Sequence, residues 1–136
     1  RHIPLKEERK WLKGQLQNIK SKKIVMLVAE SKNVVIGTTG INLGRNRQGH
    51  IGDFGIIIRD GFRRIGLGKY LMKEIIKLAR KELKPKPKII KLGVFATNKP
   101  AICLYKKLGF KKVARIPKQL EYKGKLIDEI IMLFDL

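Results

Sequence analysis

The chain has 136 residues, 43% of them hydrophobic, enough for one domain with a real core, and no apolar run long enough to span a membrane. Lysine and arginine outnumber the acidic residues 32 to 11, and the net charge of +21 admits a polyanionic partner such as nucleic acid or the ribosome. The single cysteine, Cys103, excludes an internal disulfide, and with no signal-peptide pattern at the start the expectation is a cytoplasmic protein without a membrane partner.

Leu5 to Lys20 reads as a helix, with Pro4 at its start, Glu7 and Glu8 in its first turns and lysines at its end, all of which suit the helix dipole. β-branched content makes Ile24 to Ala29 a strand, Ser31-Lys32-Asn33 a turn and Val34 to Leu43 the returning strand of a hairpin. A polar loop follows from Gly44 to Gly49. His50 to Ile58 is a third strand, and its internal Gly52 and Gly55 point to a bulge or to close approach of another backbone.

The apolar run Ile56-Ile57-Ile58 leads into Arg63-Arg64-Ile65-Gly66-Leu67-Gly68-Lys69, and a helical pattern runs from there to about Leu83. A glycine-rich turn between a strand and a helix start is a ready anion site. The glycines let the backbone approach a ligand, and the first N–H groups of the helix have no partner inside it. Arg63, Arg64 and Lys69 add formal charge. The stretch reads as a pyrophosphate cradle, although the same glycines also serve a plain tight turn. It is neither a Walker A loop nor the dinucleotide fingerprint, because the Gly-Lys-Ser/Thr ending and the third glycine are missing.

Leu67, Leu71, Ile75, Leu78 and Ala79 share the buried face of this helix, and Pro85 and Pro87 end it. Ile89 to Phe95 is a strand, parallel to the previous one if the helix is a crossover. Asn98 caps a short helix whose buried stripe is Ala101, Leu104, Tyr105 and Leu108, and Gly109 stops it. Phe110 to Ile116 and Leu126 to Phe134 are the last two strands, with Gly124 in their connection. Cys103 lacks a histidine partner and reads as a small core residue. His2 and His50 make no metal site, and no metal is expected.

Two segments in fixed order, Arg63-Arg64-Ile65-Gly66-Leu67-Gly68 and Asn98 to Phe110, together resemble the GCN5-related N-acetyltransferase (GNAT) family. Arg63, Gly66 and Gly68 fill its acyl-CoA loop, Gln/Arg-x-x-Gly-x-Gly/Ala. Asn98, Ala101, Leu104, Tyr105, Gly109 and Phe110 match its later helix, Asn-x-x-Ala-x-x-Leu-Tyr-x-x-x-Gly-Phe. The resemblance implies a mixed α/β fold, a mostly antiparallel central sheet with helices on both faces and a splayed parallel strand pair at the CoA site. The expectation is one acetyltransferase domain over residues 1–136, with the family's opening strand missing ahead of the first helix.

The resemblance also implies a chemistry: an amine attacks acetyl-CoA directly, with both substrates bound. Arg63, Arg64, Ile65, Gly66, Leu67, Gly68 and Lys69 would hold the pyrophosphate. Ile56, Ile57 and Ile58 would pair with the pantetheine amides, and Asn98 and Ala101 would meet the pantetheine arm. Tyr105 is the candidate acid for the departing thiolate, against a plain buried aromatic. Asp53, on the strand facing the cleft, is the candidate base, against a solvated carboxylate. The acceptor is left open among a protein N-terminus, a lysine and small molecules, and a homodimer stands among the options.

The rival class is a basic nucleic-acid-binding or CoA-binding module that keeps the fold without the chemistry. From Gly61 to Lys118 there are 18 Lys/Arg against 2 Asp/Glu, a local charge of +16. The few aromatic residues are not interleaved with the basic run as in a stacking platform, which lowers that rival. Lysines coating every solvated face of a Lys- and Ile-rich chain explain the charge equally well.

Overall fold

A computed structural model describes the backbone of residues 12–15, and residues 22–62 and 66–136 in full. Contacts divide the chain into two compact units, Arg1–Pro87 and Lys88–Leu136. Among the described residues, every strand pairing within either unit is antiparallel. The strands of the expected parallel pair are the fourth and fifth in sequence, one in each unit.

In the first unit, β1 (Leu12–Gln15), β2 (Ile24–Ser31), β3 (Val34–Leu43) and β4 (Ile51–Ile58) form a meander in chain order. β1 corrects the helix expected over 5–20: Leu12 to Gln15 pair with Ala29 to Met26. Gly14 is a weak helix former, and the edge of β2 offers backbone partners, so tertiary pairing overrides a marginal local preference. The rest of that expected helix lies outside the described residues.

Lys32 and Asn33 turn the β2–β3 hairpin with φ of 51° and 64°. Positive φ at both central residues is what a type I′ turn requires, and its twist matches that of the strands. Val25, Leu27 and Ala29 on β2 and Ile41 on β3 are buried on one face.

Helix α1 (Leu67–Glu82) packs on β2 and β3. Its buried residues Leu67, Leu71, Met72, Ile75 and Ala79 repeat at the spacing of one helical face. The leucine tips of Leu71 and Leu67 lie 3.3 and 3.5 Å from where a Cβ on Gly37 would stand, so the missing side chain on β3 is what lets α1 sit down. Burial of each large apolar side chain contributes roughly 1.5–3 kcal/mol.

In the second unit, β5 (Ile89–Phe95), β7 (Lys125–Asp135) and β6 (Lys111–Tyr122) form a sheet with β7 in the middle. Helix α2 (Lys99–Lys107) connects β5 to β6. It ends as a Schellman motif: Phe110 N–H donates to Tyr105 O at 2.9 Å and Gly109 N–H to Lys106 O at 3.1 Å. Gly109 takes φ 107° there. Of the stripe expected on α2, Tyr105 alone is buried; Ala101, Leu104 and Leu108 are half-buried, because a nine-residue helix covers little of the sheet. Phe110 stacks on Phe134 at 5.2 Å.

β6 runs six residues past its expected end, through Pro117 to Tyr122. Register shifts between Lys112 and Ala114 and between Ile116 and Leu120 absorb the proline, which has no N–H to give a ladder. Among the described residues no helix is long and apolar enough to cross a membrane.

Candidate functional site

Beyond β4, Arg59 N–H donates to Ile36 O at 2.8 Å and Phe62 N–H to Arg59 O at 3.1 Å. The chain therefore turns back on itself before the glycine-rich stretch. Arg63, Arg64 and Ile65 lie outside the described residues. Gly66 precedes α1 with φ 84° and ψ −1°, a conformation that costs any other residue. Among the described residues a Cβ on it would meet nothing within 4 Å, and glycine leaves the backbone there bare.

Tyr70 N–H donates to Gly66 O at 3.1 Å and starts the helical ladder. The N–H groups of Leu67, Gly68 and Lys69 come before that ladder and have no partner inside the helix. No acidic residue stands in the first turn to neutralise the dipole. Leu67 is buried and anchors the turn, Gly68 is half-buried and Lys69 is exposed. The whole arrangement favours an anion.

β4 carries the other predicted residues of this unit. Ile57 is 73% exposed, whereas Ile56 and Ile58 are half-buried. Asp53 is exposed and opposite Asn42 on β3. Both line a hollow of about 380 Å³ together with Met26, Thr38 and Ile57. Register explains the hollow. Met26 is opposite Gly40, and Gly40 is opposite Gly55, so the middle of that face has two positions without side chains. Thr39, only 3% exposed, donates its hydroxyl to Gly55 O at 2.8 Å and ties β3 to β4 beside the hollow.

No pattern in the sequence marks Met26, Thr38, Thr39 and Asn42 as neighbours of Asp53. Threonine is an ordinary strand former, and only the pairing register places these residues around Asp53.

In the second unit, Asn98 is exposed and its Oδ1 accepts the Ala101 N–H at 3.3 Å, so it caps α2 as expected. Ala101 is half-buried. Tyr105 is 8% exposed and its ring centre lies 6.1 Å from that of Phe110. Burial pushes the Tyr105 phenol above its ordinary pKa of 10.0. A phenol carries its proton at neutral pH even at the ordinary value, and burial works in the same direction. Cys103, expected as a small core residue, is exposed. It is two residues from Tyr105, about 200° around an α-helix, so it faces away from the side that Tyr105 buries. Among the described residues no group of His, Cys, Asp and Glu could hold a metal ion.

The Acetyltransferase (GNAT) family matches residues 2–110. The L-amino acid N-acetyltransferase AaaT of Escherichia coli (strain K12) is 34% identical over 110 residues, 80% of this chain and 67% of that protein. An N-alpha-acetyltransferase of Sulfurisphaera tokodaii is 40% identical over 67 residues, 49% of this chain and 38% of that one. The chain thus spans about two thirds of the first relative and well under half of the second.

Among solved structures, a GNAT-family acetyltransferase from Streptococcus pneumoniae superimposes with a TM-score of 0.77 at 29% identity, over 85% of this chain and 69% of that chain. An acetyltransferase from Salmonella typhimurium, solved with acetyl-CoA, gives 0.76 at 23% identity over 86% and 67%. The mixed α/β fold, with mostly antiparallel strands, is the one these acetyltransferases share.

Proposed function

The chain belongs to the acetyltransferase (GNAT) family, and from that premise we propose that it moves an acetyl group from acetyl-CoA to a primary α-amine by direct attack in a ternary complex. It is an acyl-CoA-dependent N-acetyltransferase with acetyl-CoA as co-substrate. The observation that carries the site assignment is Gly66. Its left-handed φ, the open space where a Cβ would stand and the uncapped N–H groups after it fit a diphosphate.

Acetyl-CoA supplies the acetyl group as an activated thioester. The chain's residues bind, orient and move protons. Backbone N–H groups of Leu67, Gly68 and Lys69 hold phosphate oxygens, and Arg63, Arg64 and Ile65 are assigned to the same phosphate. Ile56, Ile57 and Ile58 supply backbone groups to the pantetheine amides, and Asn98 and Ala101 hold the same arm. Tyr105, kept protonated by burial, holds a proton for the departing sulfur. Asp53, at the mouth of the β3–β4 hollow, receives the proton of the attacking amine. Positioning both substrates supplies much of the remaining acceleration.

The acceptor is a primary amine on the carbon that bears a carboxyl or carbonyl group. The names of the two relatives, one for L-amino acids and one for N-alpha groups, share that chemistry. Asp53 and Asn42 would take the ammonium, and Met26 and Ile57 would take a short apolar side chain. A cytoplasmic setting, where acetyl-CoA and both acceptor types meet, is part of the same proposal, as is a single acetyltransferase domain.

The test is a CoA-thiol release assay on a panel of free L-amino acids, short peptides with free or blocked N-termini, and polyamines. Thiol release with α-amines that falls about a hundredfold or more in Asp53→Asn supports the reading. Release only with polyamines or lysine side chains would overturn the acceptor class. Binding of CoA with no release for any amine would leave a module without catalysis.

A further inference from the structure

Away from the residues assigned above, the second unit has a cavity of about 320 Å³ between α2 and the β6–β7 hairpin. Its lining is Ala96, Lys99, Ile102, Cys103, Lys106, Lys112, Arg115 and Ile130. Ala96, Ile102 and Ile130 make an apolar floor, and every ionisable group on the rim other than the thiol is a cation. Arg115 is engaged, with its Nε 2.7 Å from Asp128 Oδ2. Lys99, Lys106 and Lys112 have no acidic partner among the described residues. Three positive charges therefore converge on one hollow without compensation.

A lysine-rich surface scatters charge, but two features here direct it. Lys112 and Arg115 are three apart, and in a regular strand they would point to opposite faces. The register shift between Lys112 and Ala114 inserts an extra residue, so Lys112 is opposite Met132 and Arg115 is opposite Ile130. Met132 and Ile130 are both buried on one face of β7, so the bulge turns both cations to that side. The other feature is Lys99, the first residue of α2, in a first turn without any acidic residue. A cation there works against the helix dipole. Both features make sense if the hollow receives negative charge.

We propose that this cavity is a second anion site, which takes a small organic phosphate. The apolar body rests on Ala96, Ile102 and Ile130, and the phosphate meets Lys99, Lys106 and Lys112. The hollow lies at the low end of the ~300–1,000 Å³ range of small-molecule sites. Ammonium groups grip phosphate as point charges, and three uncompensated ones suit a dianion better than a single carboxylate. The proposal does not depend on the acetyl-transfer reading.

Cys103 lines this cavity and is the chain's one cysteine, so its alkylation rate reports occupancy there alone. The experiment measures carbamidomethylation of the whole chain by neutral iodoacetamide, read by mass spectrometry at fixed ionic strength. Phenyl phosphate is the probe, with benzoate and benzyl alcohol beside it. Phenyl phosphate should slow the reaction at least tenfold in a saturable way, benzoate less and benzyl alcohol not at all. Lys106→Gln and Lys112→Gln should each weaken that protection, and Lys106→Glu/Lys112→Glu should remove it. Lys73→Glu on α1 should leave it intact. Unchanged alkylation with phenyl phosphate, equal protection by benzoate, or protection that survives in the double variant would each overturn the proposal.

Discussion

Gly66→Ala separates the two things a glycine can do at the start of α1. With φ 84°, an alanine there is strained by roughly 1–2 kcal/mol, but no described residue within 4 Å obstructs its methyl group. Reduced freedom of the unfolded chain returns about 0.4–1 kcal/mol, so the net cost in stability is about 1 kcal/mol. Gly124, in the β6–β7 turn, is the control, with φ 77° and equally empty surroundings. Gly124→Ala should lose the same ~1 kcal/mol, a fall of roughly 3–5 °C in melting temperature.

The two variants should part in their affinity for CoA. A methyl on residue 66 stands in the space a phosphate would use to reach the bare N–H groups. Loss of one charge-assisted hydrogen bond is worth about 1.5–3 kcal/mol, or roughly ten- to 150-fold in Kd. Isothermal titration of CoA into folded protein at 25 °C gives the affinities, and urea melts give the stabilities. If Gly66→Ala binds CoA as tightly as Gly124→Ala does, the glycine serves only the turn and the cradle is misplaced.

Tyr105→Phe keeps the ring against Phe110 and removes the proton, so turnover with a good α-amine should fall about a hundredfold while CoA affinity stays the same. Because burial raises the phenol's pKa, Tyr105 contributes full stability below pH 10.0, and that share fades as pH rises from there through the folded-state value; alkaline melts of wild type and Tyr105→Phe should show it. Gly109→Ala adds a Cβ at φ 107° that would lie 2.9 Å from Phe134 Cε1; strain of ~1–2 kcal/mol and overpacking of ~1–3 kcal/mol predict a loss of about 2–5 kcal/mol in urea melts. The Asp128 carboxyl is held below its ordinary pKa of 3.8 by hydrogen bonds from Arg115 and from the Lys118 N–H. Its share of stability is present above that value and lost as pH falls through the folded-state pKa, so the melting-temperature gap between wild type and Asp128→Asn should close in acid.

Local chemistry wrote much of this protein into its sequence. The Lys32-Asn33 turn, the capped start of α2 at Asn98 and its stop at Gly109 each depend on one or two residues and the backbone angles those residues allow. The apolar face of α1 needs only the helical repeat, and the matching residues at Gly66, Gly68, Asn98 and Tyr105 were enough to name the family. What spans distant residues was not legible. Leu12 to Gln15 is a strand because β2 has an edge to offer, and no property of those four residues announces that edge. Cys103 looked apolar in composition and is exposed, because the docking of α2 decides which side is covered. The hollow beside Asp53 exists because Gly40 and Gly55 meet across β3 and β4, and the basic cavity because a bulge turns Lys112 and Arg115 the same way. Register and bulges come from the pairing of whole strands, where a shift by one residue reverses every side chain, and that pairing is settled only when the chain has folded.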